Sequence, residues 1–341
     1  MEELTRIAID TSKSVFTLHG VDGTGRAVLR RNLRRRELAA FFENLKPVEV
    51  VLEACGGSHH WARTLQGLGH RVRLIPAQYV KPFVKRGKND RNDAEAISEA
   101  AARPAMPGVP VKSAGRQANA MLLSVRELLV RQRTQLVNAL RGHAAELGVV
   151  APLGGKGLAQ VQSAIASAEE AEVPTEAKEA LALLGQEIGR IEARLAGIDA
   201  KLLAQHKANP LSRRLSAIPG VGPIGALTLA TRVDPGQFRS GRHFAAWLGL
   251  VPRERSTGGR QRLGGISRAG DERLRSLLVL GGTAVIRHAK PDRPGASAWL
   301  LKLLGRKPRK LAAVALANKM ARIAWAMMTR GEAYRPPQAA A

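Results

Sequence analysis

A single cysteine, Cys55, occurs in 341 residues. A disulfide framework within the chain and a multi-cysteine zinc site are thereby excluded. Aromatic residues make up 4% of the chain, too few for a protein that grips single strands chiefly by stacking bases. Trp61, Trp247, Trp299 and Trp325 show no platform spacing and read as core residues. No apolar run reaches the roughly 18–20 residues of a membrane span. The N-terminus MEELTRIAID resembles neither a signal nor a transit peptide, so a cytoplasmic protein with no membrane partner is expected. Acid is also scarce: 28 Asp+Glu stand against 54 Lys+Arg, a net charge of +26. Such an excess points to a polyphosphate partner, although an enzyme and a passive binder can share it.

What is present is enough to fold. Hydrophobic residues are 45% of the sequence, and the length implies two or three domains. Over residues 1–110 the pattern is α/β, in the order βββαβαβα. TRIAID is a strand ending on Asp10, and the turn Val21-Asp22-Gly23-Thr24-Gly25 joins two more strands as a hairpin. VEVVLEA is a strand ending near Glu53, and HRVRLIPA is the last. SHHWARTLQGLG and DRNDAEAISEAAA read as helices.

Residues 111–208 are helical. Leu181, Leu184, Ile188, Ile191, Leu195, Ile198 and Leu202 alternate steps of three and four, a coiled-coil seam. Leu122, Val125, Leu129, Leu136 and Leu140 form a weaker seam upstream. Two long antiparallel helices with a short helical piece between them are expected, packed within one chain or across a dimer. Residues 209–341 are mainly helical again. LSAIPGVGPIGALTLATRV resembles a helix-hairpin-helix, in which Gly220 and Gly222 would expose backbone N–H groups to phosphate. An ordinary glycine turn is the simpler reading. The segment 249–275 then carries Arg253, Arg255, Arg260, Arg262, Arg268, Arg273 and Arg275 against three acids. Arginine is the side chain suited to bidentate phosphate contact.

The acids are the most informative residues. RGKNDRNDAEAIS, residues 86–98, places Asp90 and Asp93 three residues apart among Lys85, Arg86, Lys88 and Arg91. At i and i+3 near a helix start, the two aspartates share a face. In a βββαβαβα sheet the first and fourth strands are neighbours, so Asp10 and Glu53 can meet. Convergence of Asp10, Glu53, Asp90 and Asp93 would be strongly repulsive without a divalent cation. Mg²⁺, with Mn²⁺ as the alternative, prefers such hard oxygens and bridges to phosphate. The surrounding cations would then hold nucleic-acid backbone. Taken singly, Asp90 and Asp93 read as helix-start residues. His59 and His60 read as packing or capping residues, and Cys55 as buried and inert.

IAIDTSK, LEACGGSHHWAR, KNDRNDAEAI and GLVPRERSTGGRQRLGGISRAGDERLR together resemble the DEDD transposases of bacterial insertion sequences, the Piv/MooV-type recombinases. The resemblance spans nearly the whole chain. It implies a RuvC-like, ribonuclease-H-fold domain over 1–110 with Asp10, Glu53, Asp90 and Asp93 as the catalytic, metal-holding acids. It further implies a serine nucleophile in the C-terminal domain. Ser256 is the serine of that segment, while an ungapped count from Gly249-Leu250-x-Pro252 reaches Thr257. Donor and target DNA, a bridge RNA that pairs with both, and a homo-oligomer (dimer or tetramer) are the implied partners. Two rivals use the same residues differently. A structure-selective nuclease would employ water as nucleophile, and a non-enzymatic nucleic-acid binder would keep the acids for structure.

Overall fold

Alternating apolar residues and a tight turn start the first sheet. The computed structural model describes residues 3–85, 89–289 and 297–336. β1 (Leu4–Thr11), β2 (Val15–Asp22) and β3 (Ala27–Arg34) form an antiparallel meander. Asp22 Oδ1 accepts hydrogen bonds from the Thr24 and Arg26 N–H groups and the Thr24 hydroxyl, which closes the predicted turn. α1 (Leu38–Glu43) leads to β4 (Glu49–Ala54), α2 (Ser58–Gly67), β5 (Arg71–Pro76), the short α3 (Ala77–Val80) and α4 (Asp90–Ala101). The sheet order is β3-β2-β1-β4-β5, with β4 and β5 parallel to β1. The expected element order and the β1–β4 adjacency both hold.

Side-chain alternation gives the sheet two buried faces. Ile7, Ile9, Phe16, Leu18, Val50 and Leu52 pack on one side with Phe42, Trp61 and Leu65 of α1 and α2. Ala8, Val51 and Ile75 pack on the other with Ala96, Ile97 and Ala100 of α4. That mixed α/β sheet is compatible with a ribonuclease-H-like fold.

The chain divides into two compact units, Met1–Gln117 and Ala118–Ala341. α5 (Ala114–Glu146), which begins at the end of the first unit, α6 (Gly155–Ser167) and α7 (Thr175–Ala208) are the two long helices with a short one between. α5 and α7 run antiparallel. Arg126 pairs with Asp199 and, seven residues on, Arg133 pairs with Glu192, seven residues back. Of the upstream seam, Leu140 is buried and Leu122 and Leu136 are packed, Val125 is exposed, and Leu123 is added, buried with Leu202 and Leu227. Because Leu227 belongs to the next segment, this contact ties the helical middle to the C-terminal region and explains the single unit.

α8 (Pro210–Leu215), α9 (Pro223–Arg232) and α10 (Gly241–Trp247) follow. Next come the two-stranded sheet β6 (Pro252–Glu254) and β7 (Leu263–Ile266), then α11 (Glu272–His288), α12 (Ala298–Leu304) and α13 (Arg309–Arg330). Contrary to the sequence reading, α13 is long and apolar enough, by length and composition, to cross a membrane. Its Ala317, Met320, Ala321, Ala324 and Met327 are buried in the core of this unit with Leu274 and Leu278 of α11 and Phe244 of α10.

The glycines between α8 and α9 serve packing. Gly220 has φ +86°, and a Cβ there would stand 2.6 Å from the Gly281 carbonyl oxygen. A Cβ on Gly281 would stand 2.0 Å from the Gly220 carbonyl oxygen. Gly220 therefore packs backbone to backbone against α11. Gly222 is the N-cap of α9 with open space around it. The adjoining cavity is lined by residues such as Val221, Ile224, Leu274 and Leu278, with no charged side chain among the described residues.

Gly281→Ala should therefore destabilise the protein by about 3 kcal/mol, the upper part of the overpacking range. Gly197→Ala on α7, where a Cβ meets nothing within 4 Å, should stabilise it by roughly 0.5–1 kcal/mol through helix propensity. Urea denaturation of both variants checks the contrast. Equal midpoints would contradict the Gly220–Gly281 contact.

Candidate active site

Strand register builds the acidic corner. The pairs Ile9↔Leu52, Asp10↔Thr17 and Thr17↔Asn32 place Glu53, Asp10, Thr17 and Asn32 in one row across β4, β1, β2 and β3. Two residues back, Ala8 and Val51 contact α4, so Asp10 and Glu53 emerge on the same face. α4 begins there because Asn89 Oδ1 accepts the Arg91 N–H at 2.8 Å, an N-cap. The first turn of α4 then presents Asp90 and Asp93.

Carboxylate oxygens of Asp10, Asp90 and Asp93 lie within 4.8 Å of one another. Glu53 stands outside that group but still feels its charge. Burial first, then the charges of Asp93, Asp90 and Glu53, push the Asp10 carboxyl up to about 6. Burial, followed by Asp93, also raises Glu53. At an effective dielectric of 20, two charges 4 Å apart repel by about 4 kcal/mol. The donors are all hard oxygens, so the three aspartates suit a divalent cation of the Mg²⁺ or Mn²⁺ type. The four-acid expectation is refined to three converging donors with Glu53 beside them.

The cations around α4 are arranged less uniformly than their sequence implied. Lys85 binds Glu95 at 2.7 Å. Arg91 is exposed with no ion pair among the described residues, and Arg86 and Lys88 lie outside those residues. Cys55 is exposed, not buried, with its Sγ 3.2 Å from Thr11 Oγ1 beside Asp10. His59 Nδ1 accepts the Lys112 N–H at 3.3 Å, and His60 packs edge-on to Trp61. Both fit the packing role expected. Trp299 departs from the core reading: it is 40% exposed under the Lys319 ammonium.

The second unit carries the serine segment on the β6–β7 hairpin. Gly258 and Gly259, both at positive φ, form a two-residue turn closed by the Arg260 N–H to the Thr257 carbonyl at 3.0 Å. The Ser256 hydroxyl donates to Glu254 Oε1 at 2.9 Å and accepts the Arg262 N–H at 3.2 Å. No side-chain hydrogen bond holds Thr257 among the described residues. Glu254 escaped the sequence reading, although its i, i+2 spacing from Ser256 in an extended segment is the signal that both share a face.

Arg253, Arg255, Arg262 and Arg268 line an open groove of about 570 Å³ along the hairpin. Arg253 also donates to the Ser267 carbonyl. Arg260 is exposed at the turn. Arg268 has φ +57°, the left-handed region that a non-glycine residue seldom occupies. Arg273 and Arg275 are corrections, because α11 turns them inward. Arg273 faces Glu127 at 3.8 Å, and burial lowers its pKa. Arg275 donates to the Leu248 and Ala269 carbonyls.

An α/β sheet with clustered aspartates, followed by a helical unit bearing an arginine-serine hairpin, defines a DEDD-type DNA transposase. Residues 7–148 match the DEDD transposase model of the IS110 group. Residues 212–295 match the model described as Transposase IS116/IS110/IS902 family. A putative transposase of Sinorhizobium fredii is 52% identical over 98% of this chain and 87% of its own length. A probable family 20 transposase of Pseudomonas aeruginosa is 48% identical over 98% of this chain and 99% of its own. The transposase for insertion sequence element IS1111A of Coxiella burnetii is 40% identical over 98% and 92%. The chain belongs to the IS110/IS116/IS902 family of insertion-sequence transposases.

A raised folded-state pKa means that the fold holds the Asp10 proton more tightly than the unfolded chain does. The stabilisation from Asp10 is complete below 3.8 and is lost as pH rises through about 6. A divalent cation needs the charged form. Added Mn²⁺ should therefore raise the melting temperature at about pH 7.5 and leave it unchanged near pH 4.5. Asp10→Asn should raise the metal-free melting temperature at neutral pH and abolish the Mn²⁺-dependent rise. A rise that survives Asp10→Asn would remove the cation from this site.

Proposed function

We propose that this transposase joins DNA strands through a covalent serine intermediate in the second unit, with divalent cations held by the acids of the first. The carrying observation is the convergence of the Asp10, Asp90 and Asp93 carboxylates, whose repulsion a cation would relieve. Asp10, Asp90 and Asp93, flanked by Glu53, would hold Mg²⁺, with Mn²⁺ as the alternative. The bound metal would polarise phosphoryl oxygens and offset the charge that builds on phosphorus.

The serine half rests on the 2.9 Å hydrogen bond from Ser256 to Glu254. Glu254 accepts the hydroxyl proton as Ser256 Oγ forms a bond to phosphorus, and the bond from phosphorus to the departing strand oxygen breaks. Arg255, Arg260 and Arg262, carried by the same hairpin, would offset the developing negative charge. A hydroxyl of the incoming strand then attacks the phosphoserine and releases Ser256, so the phosphoester energy is conserved. Arg253 and Arg268 hold flanking backbone.

Partner selection follows from what is abundant and what is missing. A charge of +26 with 4% aromatics suits backbone contact more than base stacking. A bridge RNA that pairs with donor and target DNA would supply the sequence choice. Exposed Met121, Val125 and Leu128 on α5 support a homo-oligomer, dimer or tetramer, through the helical middle. The reaction belongs in the bacterial cytoplasm with its nucleic acids.

The protein, co-expressed with DNA carrying its own element and flanks, should give an adduct that survives denaturing electrophoresis. Ser256→Ala should abolish the adduct, Thr257→Ala should retain it, and Glu254→Gln should slow it by about 10²–10⁴-fold. Asp93→Asn should stop cutting while DNA binding persists. An adduct lost only in Thr257→Ala would move the nucleophile by one residue. Cutting without any adduct would make water the nucleophile.

A further inference from the structure

The row of side chains that begins with the acids does not stop at Asp10. It continues across the sheet as Thr17 on β2 and Asn32 on β3, while the adjacent row runs Ala8, His19, Arg30. These side chains rise on the face that carries α4. Between them and the start of α4 lies an open, polar pocket of about 610 Å³, lined among others by Thr17, His19, Arg30, Asn32, Asn89 and Arg91. That volume lies within the usual range of ligand sites. Asp90 belongs both to this lining and to the acidic cluster, so pocket and cluster are contiguous.

The polar groups of this pocket are largely unused by the fold. Among the described residues, neither Arg30 nor Arg91 has an ion pair, and Asn32 has no side-chain hydrogen bond. Asn89 spends its Oδ1 on capping α4, and its amide NH₂ has no partner among the described residues. His19 is 5% exposed, and no protein group among the described residues bonds its Nδ1. A buried polar atom without a partner is destabilising, an arrangement that makes sense where a ligand completes it. Two guanidiniums, two amides and a hydroxyl form a donor set for phosphate oxygens. The single carboxylate, Asp90, stands at the acidic end.

We propose that this pocket is a phosphate subsite that grips the DNA strand next to the phosphate held at Asp10, Asp90 and Asp93, with Arg30 as its principal cation. The assignment rests on the acidic cluster acting as the strand-cutting centre. A strand anchored here would cross β1 to β3 with one phosphodiester at the acids and its neighbour among Arg30, Asn32 and Arg91. Arg30 then sets the position of the scissile bond and acts as a positioning residue. Arg31 provides a control of equal charge. Arg31 also borders the pocket, but alternation sends its side chain to the opposite face, where its guanidinium lies over the Phe41 ring at 5.4 Å.

The test uses the full chain, with Asp93→Asn present to prevent cutting, and DNA oligonucleotides of its element end. Each oligonucleotide carries one neutral methylphosphonate, moved stepwise away from the cut site. With Arg30 intact, one flanking position should weaken binding about tenfold. In Arg30→Ala the same position should have no further effect, and the dependence of log affinity on log salt should lessen by about 1. Arg31→Ala should leave the position-specific loss in place. A methylphosphonate effect that persists in Arg30→Ala, or disappears equally in Arg31→Ala, overturns the subsite. A loss that appears with RNA oligonucleotides but not with DNA overturns the assignment of DNA as ligand. Failure of the acidic centre itself would register separately, as absence of any Mn²⁺-dependent rise in melting temperature of the unmutated protein.

Discussion

Carboxylate repulsion at the junction of β1 and α4 is the constraint around which the first unit is organised. Asp10 is fixed from both sides: β2 pairs along its whole strand, and β4 pairs just before it. α4 is fixed by Ala96, Ile97 and Ala100 against Ala8 and Val51, and by the Asn89 cap at its start. Neither element can retreat without breaking core contacts or a cap. The aspartates are therefore held in a state that raises Asp10 to about 6, and the fold tolerates that unfavourable contact because a cation can turn it favourable. A net charge of +26 makes the choice more telling: cations were abundant, yet Lys85 is engaged by Glu95, and no ion pair to Asp10, Asp90 or Asp93 occurs among the described residues.

The second unit solves a different problem, presenting a hydroxyl among cations on a short hairpin. Gly258 and Gly259 permit the tight turn, and Ser256 Oγ replaces a ladder partner for the Arg262 N–H. The hydroxyl is thereby oriented toward Glu254 instead of rotating freely. Arg273 faces Glu127 on α5, whereas Arg275 belongs to the support of this hairpin. Arg275 ties the Leu248 and Ala269 carbonyls, and with them the segments that enter and leave it. Arg253, Arg255 and Arg262 of the hairpin line its groove, whereas Arg273 and Arg275 at the start of α11 face the protein.

Much of this was legible in the residues, wherever the information was local or topological. Strand ends, the Val21–Gly25 turn, the α4 cap and the neighbouring of β1 and β4 follow from alternation, turn chemistry and element order. Features that depend on contacts between distant segments were not legible. Gly220 looked like a phosphate loop because its partner, Gly281, lies on a helix about sixty residues away, and only the packed structure brings the two carbonyls together. Val125 and Leu123 fit neighbouring heptad registers, and Leu227 from the following segment selects Leu123. Cys55 just beyond a strand end could face either way, and the structure exposes it near Thr11. Glu254 could have been found, since strand alternation alone relates it to Ser256.

The central claim, that the acidic corner is a divalent-cation site, is tested most directly by diffraction from crystals soaked in Mn²⁺ near neutral pH, using the anomalous signal of the metal. The account predicts a peak bounded by the carboxylates of Asp10, Asp90 and Asp93. Crystals that carry Mn²⁺ elsewhere while this corner stays empty would contradict it.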